Sequence, residues 1–111
     1  MSVTVIKKIT LVKKILADGS PCKKCNDVIT RLEAHGQIRY INAIVTADER
    51  DENSLGMQLA AKHKVKLAPF FIVEQEETTE QDGEKVVEQQ TKIYTIYYKF
   101  VKEVINKFDK N

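Results

Sequence analysis

Two cysteines, Cys22 and Cys25, stand two residues apart in the stretch Ser20-Pro21-Cys22-Lys23-Lys24-Cys25, and the 111-residue chain has no others. Cysteines at this spacing at the start of a helix lie within one turn, so their sulfurs can meet as a disulfide requires. The free N–H groups of a first helical turn carry about +0.5 of a charge and favour a thiolate there. Lys23 and Lys24 add positive charge beside the pair. A cysteine in such a setting can have a pKa of about 3.5 to 7.5 instead of about 8.5. Only the thiolate attacks a disulfide. The two thiols are not expected to be equivalent. Cys22, nearest the helix start, is the expected attacker, and Cys25, one turn in and more covered, the resolving thiol. Pro21 removes one N–H beside the site and stiffens the turn, which bears on the redox potential.

Two other chemistries use such a pair. A closed zinc site needs four ligands. The chain adds only His35 and His63, far apart in sequence and at no ligand spacing, so a metal would need acids or a second chain. A dimer sharing an iron–sulfur cluster through two cysteine pairs is one such arrangement. The bland alternative is a binding module whose cysteines are incidental.

Composition narrows the setting. Apolar residues make up 42% of the chain and charged residues 31%, which suits one folded domain over residues 1–111. No run of 18 apolar residues offers a membrane span, and the first residues lack the order of a signal peptide. A cytoplasmic protein is the expectation, and in that compartment a CxxC pair points to catalysis or metal rather than a structural disulfide. The net charge of +2 is unevenly spread: residues 1–25 carry six lysines and one acid, residues 74–88 seven acids and one lysine. No basic run is interleaved with aromatics, which leaves nucleic acid without support as a partner.

The elements that would hold the pair can be read in order. Ile9–Leu16 reads as a buried strand followed by the turn cluster Ala17-Asp18-Gly19-Ser20-Pro21; Val5, Ile9, Val12 and Leu16 also fit a helical period, and the turn signal and the length favour strand. A helix is expected from about Lys23 to His35, with Ser20 as N-cap and Pro21 as its first residue. Val28, Ile29, Leu32 and Ala34 form its apolar face, and Gly36 stops it. A second strand follows from Ile38 to about Val45. Ser54 caps a short helix, Leu55 to His63, with Leu55, Leu59 and Ala60 facing inward. Pro69 opens the next apolar run, Phe70 to Val73. Asp82-Gly83 is a strong two-residue hairpin signal at the midpoint of the acidic stretch. A turn there pairs Ile72 with Ile93 and Phe71 with Tyr94, and it sends an acidic hairpin, about 74–91, into solvent. The last helix, Tyr98 to Phe108, shows Val101, Val104, Ile105 and Phe108 on one face with lysines opposite.

The order β-α-β-α-β-β-α, with CxxC between the first strand and first helix and a proline leading the third strand, resembles the thioredoxin/glutaredoxin superfamily. The likeness covers about Ile9 to Phe108 and is closer in layout to the short glutaredoxin-like form. It implies an α/β thioredoxin-like fold: a four-stranded mixed sheet flanked by three helices, here with an extended hairpin between the third and fourth strands. It implies a cis Ala68–Pro69 bond beside the dithiol, with Ala68 offering its backbone to an extended substrate segment. It implies a thiol–disulfide oxidoreductase acting on protein or small-molecule disulfides, recharged by a reductase or by glutathione. Such a reaction needs no bound cofactor, because the dithiol carries the two electrons. A monomer is expected. The chain departs from the best-known members in having Lys23-Lys24 between the cysteines and Leu16 where thioredoxins hold a buried acid.

Overall fold

A computed structural model describes residues 2–108. The chain forms β1 (Ser2–Ile15), α1 (Lys23–Ala34), a 3₁₀ turn (Ile38–Tyr40), β2 (Ala43–Asp48), α2 (Leu55–His63), β3 (Phe70–Gln81) and β4 (Glu84–Tyr94). A C-terminal helix closes it: α3 (Tyr97–Phe100), a π-helical stretch (Val101–Ile105) and a last turn, α4 (Asn106–Phe108). The four strands make one mixed sheet in the order β2-β1-β3-β4. β1 and β2 run parallel, while β3 is antiparallel to β1 and β4 to β3. The fold is therefore α/β with a four-stranded mixed sheet and three helices, as the residue pattern implies.

The sheet is buried on both faces at its centre. On one face Ile9, Leu11, Phe71 and Val73 meet Val28 and Leu32 of α1 and Phe100, Val104 and Ile105 of the C-terminal helix. Phe71 and Phe100 stack with ring centroids 3.8 Å apart. On the other face Val12, Ala47, Phe70 and Ile72 pack under Met57, Leu59 and Ala60 of α2. Each face thus covers a continuous apolar patch, the arrangement that lets an antiparallel and a parallel pair share one sheet.

The hairpin falls where Asp82-Gly83 places it. Both residues have positive φ, 51° and 81°, as a two-residue turn of the type favoured between twisted strands requires. Phe71 pairs with Tyr94 and Ile72 with Ile93, and the ladder continues without a slip to Gln81 and Glu84.

Several local expectations differ from the structure. β1 starts at Ser2 rather than Ile9, and its first residues pair with the hairpin, from Ser2 opposite Thr79 to Ile6 opposite Gln75. The acidic extension is thus a three-stranded arm, and ladder hydrogen bonds rather than burial hold its first strand. Val3 and Val5 stay exposed. The register shifts between Ile6 and Lys8, a bulge at the joint of arm and body. The second strand starts at Ala43, not Ile38. Asn42 occupies the two hydrogen-bonding groups of Ile9: its Oδ1 accepts from the Ile9 N–H at 2.7 Å and its N–H donates to the Ile9 carbonyl at 2.9 Å. The parallel ladder can begin only after it, at Thr10 opposite Ala43.

In α2 Leu59 and Ala60 face the sheet as expected, but Leu55 is 55% exposed and the buried residue is Gly56. A side chain at Gly56 would collide with the backbone of Thr46 and Ala47. Ser54 precedes the helix, but its Oγ accepts from the Asp48 N–H at 3.0 Å instead of capping. In the last helix Phe100 takes the central place and Phe108 is left at the surface, stacked on Tyr40 with centroids 4.6 Å apart. The π-helical stretch resets the angular period between them, so a face counted at 3.6 residues per turn drifts off the core. In α1, too, Ala34 lies exposed rather than in the apolar face.

Gly56→Ala is expected to destabilise the fold by about 1–3 kcal/mol, since the added methyl must push α2 off β2. A urea unfolding midpoint lowered with unchanged slope would record it. An unchanged midpoint would mean that the close approach of α2 to Thr46 and Ala47 is not built into the fold.

Candidate functional site

The approach to the cysteines is a tight turn held at both ends. Leu16 and Ser20 join through a 2.9 Å bond from N–H to carbonyl, and the Gly19 N–H donates to the Leu16 carbonyl at 2.8 Å. Gly19 sits at φ 86°, a conformation that suits glycine. Asp18 Oδ1 accepts from both the N–H and the hydroxyl of Ser20, at 2.9 and 2.6 Å. These bonds hold the Asp18 carboxyl below the usual carboxylate range. Ser20 is therefore committed to Asp18 and is not the N-cap. Pro21 is not in the helix either. It forms an isolated bridge with Ile15 at the end of β1, which pins the turn to the sheet.

The N-cap is Cys22 itself. Its backbone is extended, at φ −78° and ψ 113°, and its Sγ accepts from the Cys25 N–H at 3.3 Å. A sulfur here does what a serine or aspartate oxygen does at other helix starts: it satisfies a first-turn N–H that has no helical partner. Cys22 thereby sits in the strongest part of the helix's positive end. It is half-buried, whereas Cys25 is 1% exposed. Both are free thiols. Lys23 and Lys24 are exposed on the first turn, next to Cys22 in sequence.

Burial pushes the Cys25 thiol up, to about 12, and its hydrogen bond with Cys22 pushes the same way. The Lys14 backbone and ammonium act against that rise, favouring the thiolate of Cys25. Lys14 is the residue that the motif did not announce. It lies near the end of β1, and its Nζ is 3.5 Å from Glu49 Oε2 just beyond β2. Glu49 also accepts from the Ala17 N–H at 3.1 Å, so the pair ties the turn before the cysteines to the far side of β2. Nothing in sequence separation reveals it; only the parallel register, which sets Lys14 opposite Ala47, brings the two together.

Ala68 and Pro69 join the same end of the sheet. Phe70 pairs with Val12, so the residues before it lie beside the last residues of β1, where Pro21 also bridges. The Ala68–Pro69 bond is cis. Pro69 is buried and Ala68 partly exposed. A cavity of about 250 Å³ opens there, lined by Lys14, Glu49, Met57, Ala68 and Phe70 among others. The two histidines stay apart from the cysteines: His35 caps the C-terminus of α1 and His63 ends α2. Among the described residues, no three His, Cys, Asp or Glu side chains come together as a metal site.

The geometry sets an order of reactivity. In the reduced protein at neutral pH, iodoacetamide should modify Cys22 and spare Cys25, with both modified in urea, as peptide mass spectrometry would read. Equal labelling of the two in the folded protein would contradict the burial of Cys25. Its raised pKa also has a sign in stability. An unfolded chain releases this proton from about pH 9.0, the folded chain only near 12. The contribution is complete below pH 9.0 and is lost as the pH rises toward 12. Cys25→Ser should therefore flatten the alkaline fall of stability in reduced protein, measured by urea unfolding across that range. Compared with known proteins, the chain matches no family model, no curated protein and no solved structure, and the reading of its function rests on this geometry.

Proposed function

We propose that the protein is a thiol–disulfide oxidoreductase with a thioredoxin-like fold, and that Cys22 and Cys25 are its redox pair. The observation that carries the reading is the half-buried thiol placed as the N-cap of α1, accepting from the N–H of a second, buried thiol. The sheet order, with a parallel and then two antiparallel neighbours, supports the fold assignment. The mixed sheet and its helices also fit other α/β arrangements, so the chemistry is argued from the site and not from the fold.

In this reading the Cys22 thiolate attacks one sulfur of a substrate disulfide. A Cys22–substrate disulfide forms, the substrate S–S bond breaks, and the first substrate sulfur leaves as a thiolate that takes a proton from solvent. Cys25 then loses its proton and attacks Cys22 Sγ. The Cys22–Cys25 bond forms, the mixed disulfide breaks, and the second substrate sulfur leaves reduced. Two electrons have passed from the dithiol to the substrate, and an external thiol reductant, a reductase or glutathione, returns them. Each half serves a physical requirement. The helix start stabilises negative charge on Cys22 as attacker and as leaving group. The ammonium of Lys14 lowers the cost of charging the buried Cys25. Cytoplasmic location, with reduced thiols as the resting state, is part of the proposal.

Trapping tests it. Cys25→Ser should accumulate mixed disulfides through Cys22, resolved on non-reducing gels and identified by mass spectrometry, while Cys22→Ser should form none. A Cys25→Ser protein that captures neither a small disulfide nor a protein disulfide would sink the proposal. The midpoint potential of the couple fixes direction: a value near about −270 mV suits a reductant and one near about −120 mV an oxidant.

A further inference from the structure

Among the described residues β4 ends the sheet, with no strand beyond it in the order β2-β1-β3-β4. Its eleven residues pair with β3 without a bulge, contain no proline, and are exposed from Glu84 through Gln89. Val86 and Val87 are 52% and 55% exposed. A long regular edge with β-branched residues presents a row of free N–H and C=O groups to any strand that matches it.

We propose that this edge pairs antiparallel with β4 of a second copy of the chain, about a two-fold axis through Gln90. Along an edge strand only alternate residues point their backbone groups outward. A two-fold axis normal to the sheet must oppose residues of the same orientation, so it passes through a residue and not between two. Few positions remain. An axis at Glu88 sets two glutamates face to face, and one at Lys92 two lysines. An axis at Val86 opposes Glu84 to Glu88 twice. Axes at Val87 and Gln89 set Val86 against Glu88 and Lys92 respectively, and one at Thr91 sets Glu88 against Tyr94. The axis at Gln90 opposes Val86 to Tyr94, Val87 to Ile93, Glu88 to Lys92 and Gln89 to Thr91, with Gln90 meeting its own copy.

Every apolar residue then faces an apolar one and both charges face their opposites, twice over by symmetry. Roughly eight to ten main-chain hydrogen bonds would form along Val86 to Tyr94. The charges are available for this. Among the described residues Lys92 has no ion-pair partner, and Glu88 accepts only from the Gln90 amide, at 3.0 Å. The faces match as well, since such an axis keeps the α1 side of each sheet on one side. The result is a continuous sheet of twice four strands in which each arm lies along the base of its partner's. The pairing is independent of the dithiol and stands or falls apart from it. It departs from the monomer expected from sequence, a reading made before the strand order exposed a free edge.

Sedimentation equilibrium of reduced protein over a concentration series tests it, reductant excluding disulfide-linked dimers. The unaltered chain should sediment as a dimer that dissociates on dilution. Glu88→Lys, which faces lysine with lysine, and Lys92→Glu, which faces glutamate with glutamate, should each weaken the dimer about tenfold or more. The double variant Glu88→Lys/Lys92→Glu should restore it to within about threefold. Both positions are exposed, so circular dichroism, and urea midpoints taken at dilutions where every protein is monomeric, should hold in all three. An unaltered chain that is monomeric throughout, including one whose edge instead takes a strand from another protein, overturns the proposal. So does a dimer indifferent to the single changes, or one that the double variant fails to rescue.

Discussion

The first-turn N–H of Cys25 has no acceptor within its own helix, and the chain supplies one in the form of Cys22 Sγ. Much of the surrounding structure exists to bring that sulfur to that place. The residue before Lys23 turns its side chain back over the opening turn and satisfies one of the donors that a helix start leaves open. The Pro21–Ile15 bridge sets where the chain enters, and the Asp18–Ser20 bonds remove the serine that would otherwise compete for the cap. A hydroxyl in the same position would satisfy the N–H equally well. What the thiol adds, on the proposed reading, is a nucleophile for disulfides.

β1 connects this site to everything else. Its last residues carry the Pro21 bridge and, through Lys14, a positive charge beside the buried thiol. Its middle, Ile9 to Val12, is buried on both faces and pairs with β2 on one side and β3 on the other. Its first residues leave the body and stiffen the arm. The thiols, the ion pair of Lys14 with Glu49 and the cis bond come from four separate stretches of sequence, and they share one end of the sheet because each is placed against this strand.

Some of this was legible before any coordinates, and the reasons are local. Asp82-Gly83 names its own turn, and two apolar segments at equal distance from it leave one register that buries both. The cysteine spacing and the proline before Phe70 identify the site's main parts. What escaped depends on tertiary choices. Either Ser20 or Cys22 can cap α1, and the choice turns on a side-chain bond to Asp18. The start of β2 is fixed by Asn42 gripping Ile9, residues 33 apart. Gly56 is silent in a pattern search because its importance is the absence of a side chain. Phe108 falls off the core, while Phe100 lies at its centre, because one π turn breaks the period by which faces are counted. The Lys14–Glu49 pair depends on parallel register, which no short stretch encodes.

The bulge between Ile6 and Lys8 has a mechanical consequence. A bulge gathers bend and twist into one place, and this one lies where a sheet covered on both faces gives way to a bare ribbon. Beyond it Val3, Val5, Val86 and Val87 stay exposed, whereas Ile9 to Val12 are clamped between two layers of side chains. The direction of the arm, in a molecule 57 Å along its greatest extent, is therefore set at the bulge and not by the strand segment from which the cysteine turn leaves.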